Sequence, residues 1–223
     1  MIKRSIWSKE HVIEGIKRVC LNPEMKDKAN QLDAYEFGVY RGESTQLIDN
    51  MFYGFQFPIK NIYGFDSFEG LPSEMAGVER FYLFTEGFFR DVGDRIYPLR
   101  PNGMYIKCWF NQLTSEHVGL YKMKPAAFVH IDGDLYISCV DSLKFLFENN
   151  LIVPGTVIAF DEFKSTSTLE SGGESLAWKE ATEKYKIESV EFFRNIYFDQ
   201  LECWQNAIEI KSIGEKAQCN LLN

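Results

Sequence analysis

The phrase HIDGDLY carries Asp132 and Asp134, and 29 residues beyond Asp132 the chain presents Asp161-Glu162. If Asp132 and Asp161 end neighbouring strands, their carboxylates converge on one point. Clustered carboxylates repel each other and need either a hard cation or a shared proton. A divalent ion held there could grip a substrate hydroxyl and lower its pKa, making it a nucleophile near neutral pH. The plainer alternative is that Asp132 caps the helical region ahead and Asp161 caps a turn. Asp134 reads as a supporting or turn residue. His130 alternates with Ile131 and reads as a satisfied core histidine rather than a catalyst.

A second group lies nearer the N-terminus. Glu36-Phe-Gly-Val-Tyr-Arg-Gly42 has the form ExGxxxG. Gly38 and Gly42 would let the backbone pass close to a ligand, with a new helix N-terminus facing it at Ser44. A tight strand-to-helix turn with no ligand is the alternative. A nicotinamide site would want G-x-G-x-x-G, whose close-packed glycines suit a pyrophosphate. Here Glu36 stands beside the loop, and a carboxylate repels phosphate but welcomes an ammonium. S-adenosylmethionine (SAM) offers an amino group, a sulfonium and no phosphate, so the loop favours SAM over NAD. Asp66 follows Gly42 by 24 residues. At a strand end it could accept both ribose hydroxyls, each charge-assisted bond being worth about 1.5–3 kcal/mol. Otherwise it caps a turn with Ser67.

The elements that must position these groups alternate between strands and helices, which argues for a mainly parallel sheet covered on both faces. Ser8 can cap a first helix bearing Val12, Ile13, Ile16 and Val19 at helical spacing. Strands are expected at Ala34–Phe37, Asn61–Phe65, Met104–Trp109, Ala127–Ile131 and Thr156–Phe160. Helices are expected after Gly42, from Ser138 to Asn149 and from Glu174 to Tyr185, the second with Val140, Leu143, Leu146 and Phe147 as its buried stripe. Ser189–Arg194 and Glu202–Ile210 form a terminal antiparallel hairpin, which a mixed sheet allows. In open α/β sheets ligands bind beyond the carboxyl ends of the strands. Four of these five strand ends carry the carboxylates named above. The expected fold is thus a doubly wound, Rossmann-like sheet in a single domain spanning 1–223, with an N-terminal helical segment over 1–33. The irregular stretch 72–101, with six aromatics (Phe81, Tyr82, Phe84, Phe88, Phe89, Tyr97), suits a lid over an acceptor or a contact in a homo-oligomer.

Composition excludes other classes. Net charge is −8, with 24 Lys and Arg scattered among 32 acids, so nucleic acid and anionic membranes are poor partners. No apolar run approaches the ~18 residues of a membrane span. MIKRSIWSKEH lacks the apolar core of a signal peptide, which makes the cytoplasm the default location. The five cysteines form no CxxC pair and read as reduced thiols; three histidines exclude a histidine-rich metal site.

Together EFGVYRGEST, GFDSFEGLP, FVHIDGDLY and PGTVIAFDEF…GGESLAW resemble the macrocin O-methyltransferase (TylF-like) family of class I SAM-dependent methyltransferases, in that family's order and over about Ala34 to Trp178. The resemblance implies the class I methyltransferase sheet with a seventh, antiparallel strand. It also implies methyl transfer to a hydroxyl of a small molecule, usually a sugar on a natural product or polysaccharide, assisted by Mg²⁺. By position, Glu36, Gly38, Tyr40, Gly42 and Ser44 match the methionine-binding loop, and Asp66 and Ser67 the ribose position. Asp132, Asp161 and Glu162 match the metal cluster, with Asp132 also the candidate general base. Many relatives carry Asp-Asp where this chain has Asp161-Glu162. Three other readings compete: a nicotinamide-dependent oxidoreductase, a non-catalytic SAM-binding module, and a metal-dependent hydrolase that would leave Glu36 and Asp66 without a role.

Overall fold

Alternation along the central strands divides the apolar residues into two layers. In β1 (Asp33–Phe37) Tyr35 and Phe37 join one core, while Ala34 joins the other. A computed structural model of the protein describes residues 9–72, 86–87, 89–90, 96–164, 173–198 and 203–214.

In chain order, α1 (Glu10–Leu21) and α2 (Pro23–Asp27) precede β1. Then come α3 (Glu43–Gly54), β2 (Ile62–Asp66), β3 (Gly103–Lys107), α4 (Ser115–Tyr121) and β4 (Ala126–Ile131). α5 (Tyr136–Glu148), β5 (Val157–Lys164), α6 (Gly173–Tyr185), β6 (Glu188–Phe198) and β7 (Cys203–Ser212) complete the order. One seven-stranded sheet runs β3-β2-β1-β4-β5-β7-β6. The pairs from β3 through β5 are parallel, and β7 lies antiparallel to both β5 and β6. This is the doubly wound sheet with a terminal antiparallel hairpin that the strand pattern implied.

Sequence order reverses between β1 and β4, so the crevice outside their carboxyl ends is where such a sheet binds ligands. α1 buries Val12, Ile16 and Val19 on the face that also holds Ile48 and Phe52 of α3. On the opposite face α5 sets Leu143, Leu146 and Phe147 against the core, with Ala177, Trp178 and Ala181 of α6. Val140, expected in the α5 stripe, is half-buried at its edge. α2 and α4 add to the expected elements, and their short runs carry little periodicity. The Ser8 cap lies outside the described residues, as does most of 72–101; of its six aromatics, Phe89 and Tyr97 are described. Cys20, Cys108 and Cys139 are buried free thiols, and burial pushes Cys20 and Cys108 up to about 12. No helix among the described residues is long and apolar enough to cross a membrane.

Candidate functional site

Between β1 and α3 the chain turns through left-handed backbone at Gly38 (φ 95°), Tyr40 (φ 50°) and Gly42 (φ 84°). A Cβ on Gly38 would lie 1.8 Å from the backbone oxygen of Asp132, so the loop starts in direct contact with the end of β4. A Cβ on Gly42 would lie 2.3 Å from the Tyr105 hydroxyl. Asp66 ties this loop to β2: its Oδ2 accepts from the amides of Val39 and Tyr40, both at 2.8 Å, and its Oδ1 from Phe68 N at 2.7 Å. Asp66 therefore caps a turn and braces the glycine loop at once. Ser67 is buried, donates from Oγ to the Gly70 carbonyl at 3.1 Å and accepts from Glu69 N at 3.1 Å. Ser44 is buried in the first turn of α3, and no side chain caps that helix. The Tyr40 ring meets Phe89 edge-on at 5.2 Å, with the Arg41 guanidinium 5.0 Å from its centre.

Glu36 lies beneath the loop rather than on its surface. It is fully buried, accepts from the Thr45 hydroxyl, and has Oε1 2.8 Å from His130 Nδ1. A chain of contacts continues to the end of β5. His130 Nε2 is 3.1 Å from His11 Nε2, which is 3.1 Å from Asp161 Oδ1. Asp161 Oδ1 also accepts from Gln205 Nε2 at 2.8 Å and from Lys9 Nζ at 3.2 Å, and Lys9 Nζ donates to Asp132 Oδ2 at 2.8 Å. Burial opposes the Lys9 charge, but Asp132 and Asp161 outweigh it and hold the ammonium well above the usual lysine range. Asp161 is held far below the carboxylate range despite burial, chiefly by Lys9 and His11. Asp132 is pushed up by burial and by Asp161. Burial drops His11 to about 4, so it is a neutral imidazole near pH 7.

The expected convergence of Asp132 and Asp161 is present; Glu162 takes another place. β5 runs on to Lys164, so Asp161 and Glu162 sit inside the strand instead of beyond a strand ending at Phe160. Neighbours in a strand point to opposite faces. Asp161 meets α1, whereas Glu162 donates its backbone N–H to Glu174 Oε2 at 3.0 Å on α6. Glu174 and Asp134 are both pushed well above the carboxylate range, by burial first and by Glu162 next. Asp134 adopts left-handed backbone, with φ 57°.

A divalent cation held jointly by Asp132, Asp161 and Glu162 does not fit this arrangement. An ammonium already bridges the two aspartates, and Glu162 gathers with Asp134 and Glu174. Among the described residues, the side chains whose ligand atoms lie within 4.8 Å of one another are His11, His130 and Asp161. Sequence reasoning passed over Lys9 and His11. Their partners lie more than 100 positions away, and nothing in the first helix marks either residue as part of a site.

No protein-family model and no curated protein matches this sequence. Solved structures match it by shape. The O-methyltransferase NovP aligns with a TM-score of 0.62 and 18% identity, over 91% of this chain and 79% of its own. CalS11, a calicheamicin methyltransferase, gives 0.57 and 14%, over 88% and 76%. An apo structure of CalS11, described as a TDP-rhamnose 3'-O-methyltransferase, gives 0.52 and 13%, over 88% and 77%. At these identities the likeness is one of fold, and the chain has the mostly parallel, seven-stranded Rossmann-like sheet of these methyltransferases.

Proposed function

We propose that this protein is a SAM-dependent O-methyltransferase acting on a hydroxyl of a small molecule, a sugar or sugar-bearing compound. The observation that carries this reading is the glycine loop at the switch point, braced from β2 by Asp66, with Glu36 buried beneath it on Thr45 of α3. That loop offers a close backbone approach to a ligand, and Asp66 at its edge is an acceptor that suits the ribose hydroxyls of SAM. The resemblance to the TylF-like family and the shared fold with NovP and CalS11 support the same reading. The sugar acceptor follows from that family's usual substrates and from the nucleotide-linked rhamnose named for CalS11.

Bound there, SAM supplies a methyl group already activated by its sulfonium. Gly38, Tyr40, Gly42 and Ser44 would cradle the methionine end, and Asp66 with Ser67 the ribose. Asp132 adjoins Gly38 at the end of β4, where the donor and acceptor sites would meet. Its carboxylate is the group to orient the acceptor hydroxyl and take its proton as the oxygen attacks in line. Alignment of two bound reactants can supply up to ~7–11 kcal/mol of a barrier.

Mass spectrometry of the protein as purified, with thermal shifts under SAM, S-adenosylhomocysteine and NADH, tests the reading. Bound SAM or its product, and stabilisation by the first two alone, are the expected results. Stabilisation by NADH in place of SAM would move the protein to the oxidoreductases. SAM binding without S-adenosylhomocysteine formation across sugar acceptors would make it a binding module.

A further inference from the structure

We propose that Lys9 is the resident cation of this site: its ammonium fills the gap between Asp132 and Asp161, orients both carboxylates, and lets the pair work without a divalent metal. The inference deepens the methyltransferase reading and rests on it. Lys9 Nζ lies 2.8 Å from Asp132 and 3.2 Å from Asp161, with the three side chains only 15–23% exposed. Its backbone is fixed. The carbonyl of Lys9 accepts from Ile13 N at 3.0 Å, and His11, Val12 and Ile16 in the first two turns of α1 are wholly buried. An ammonium so placed hydrogen-bonds to one oxygen of each carboxylate and offsets their mutual repulsion, which is the electrostatic task of a metal.

The competing occupant is a metal ion on His11, His130 and Asp161. His130 would suit one, because a carboxylate on Nδ1 leaves Nε2 free to ligate. His11 does not. Its Nδ1 is buried without a hydrogen-bond partner among the described residues. Ligation through Nε2 would put the proton on Nδ1 and strand a donor in a dry site, and buried N–H groups are left unpaired more rarely than acceptors. The Lys9 charge beside Asp161 would also repel a dication. The described contacts already engage these groups. Glu36 accepts from His130 Nδ1, the single His11 Nε2 proton lies between His130 Nε2 and Asp161 Oδ1, and Asp161 also accepts from Gln205 and Lys9. Lys9 acts through Asp132 and is a positioning residue.

The test titrates Mn²⁺ into the full-length protein, followed by electron paramagnetic resonance, with SAM binding measured in parallel. The expected wild-type result is no stoichiometric Mn²⁺ binding, and S-adenosylhomocysteine formation unaffected by chelation. Lys9→Met should lower kcat by roughly a hundredfold, the low end of what the Asp132 base it orients would contribute, with little change in SAM affinity. Lys9→Arg, which keeps the charge, should restore most of it. Lys9→Met should also gain Mn²⁺ binding that Asp161→Asn removes. Stoichiometric Mn²⁺ binding by the wild type that depends on Asp161, or full turnover by Lys9→Met without metal, overturns the proposal. If Lys9→Met does not fold, the wild-type titration and Lys9→Arg decide alone. Failure of the wild type to bind SAM would defeat the methyltransferase reading and leave the Mn²⁺ result standing.

Discussion

Glu36 and His130 face each other across β1 and β4 as register partners, Oε1 2.8 Å from Nδ1, with neither side chain exposed to solvent. A carboxylate only accepts, so this contact puts the His130 proton on Nδ1 and leaves Nε2 to accept from His11. One buried chain of polar contacts thereby joins the floor of the glycine loop to Asp161. The two groups of acids that read as separate sites in the sequence share a support.

Removing that support should be felt at both ends. Glu36→Ala strands the His130 N–H and the Thr45 hydroxyl in a dry interior, at a cost of about 1–3 kcal/mol for the stranded groups. Glu36→Gln keeps one accepting oxygen and should lose less. Urea denaturation gives the stability order wild type, Gln, Ala, and calorimetry should show SAM affinity falling in the same order. Equal midpoints for wild type and Ala would rule the chain out as a structural support.

The two loop glycines should differ in tolerance. At Gly38 an added Cβ meets a backbone oxygen, which cannot swing aside, at φ 95°. Left-handed strain of about 1–3 kcal/mol adds to that clash, so Gly38→Ala should lose SAM binding altogether. At Gly42 the obstacle is the Tyr105 hydroxyl, and Gly42→Ala should be partly rescued by Tyr105→Phe. Calorimetry on the three variants checks this, and SAM binding retained by Gly38→Ala would contradict it.

Asp66 has two duties. Its bonds to the Val39 and Tyr40 amides hold the loop, and under the proposed function its remaining accepting capacity would serve the ribose. Asp66→Ala should therefore weaken SAM binding by roughly ten- to hundredfold, equivalent to about 1.5–3 kcal/mol. Asp66→Asn retains one accepting oxygen and should sit between. Unchanged calorimetric affinity in folded Asp66→Ala would remove the residue from the site.

The carboxylates at strand ends were legible because the β1, β2 and β4 runs are mostly apolar before Glu36, Asp66 and Asp132. β5 hid its own end. Phe160, Asp161, Glu162 and Phe163 read as a stop, yet the strand continues through a register shift against β7 between Phe160 and Phe163. That shift depends on a partner strand some 40 residues on, which local pattern does not reveal. It sends Glu162 towards α6 and away from Asp161. Lys9 was illegible for a related reason. A single lysine ahead of a helix has no distinguishing neighbours, and its two acids are joined to it only by the packing of α1 on β4 and β5.

Asp33 gives a pH signature independent of the site. It accepts from Lys124 N at 2.6 Å and from Asn61 N and Nδ2 at 2.9 and 3.0 Å. Burial outweighs these donors and pushes its carboxyl from 3.8 up to about 6. The folded state then holds a proton that the unfolded chain has released. The stability this contributes is fully present below the unfolded value and is lost as pH rises through about 6. A shift of this size corresponds to about 2–3 kcal/mol. Urea midpoints of wild type against Asp33→Asn from pH 4 to 7 should show the wild type losing ground across that window. A flat difference would mean that Asp33 ionises normally.

Asp132 and Asp161 share one ammonium, yet their substitution should separate chemistry from architecture. Asp132 borders Gly38 and under the proposed function would take the acceptor's proton, whereas Asp161 is taken up by His11, Gln205 and Lys9. Asp132→Asn keeps the volume and a hydrogen bond to Lys9 while removing the base. It should lower kcat by about 10²–10⁴ with little change in SAM affinity. Asp161→Asn keeps the base but presents an amide to donors that now lack a charged acceptor. Its main effect should be on stability, with Lys9 left to Asp132 and a smaller loss of kcat. Urea midpoints and S-adenosylhomocysteine formation on both variants distinguish the roles. If Asp161→Asn loses as much kcat as Asp132→Asn while remaining as stable as the wild type, Asp161 also takes part in the chemistry, and the division between base and support fails.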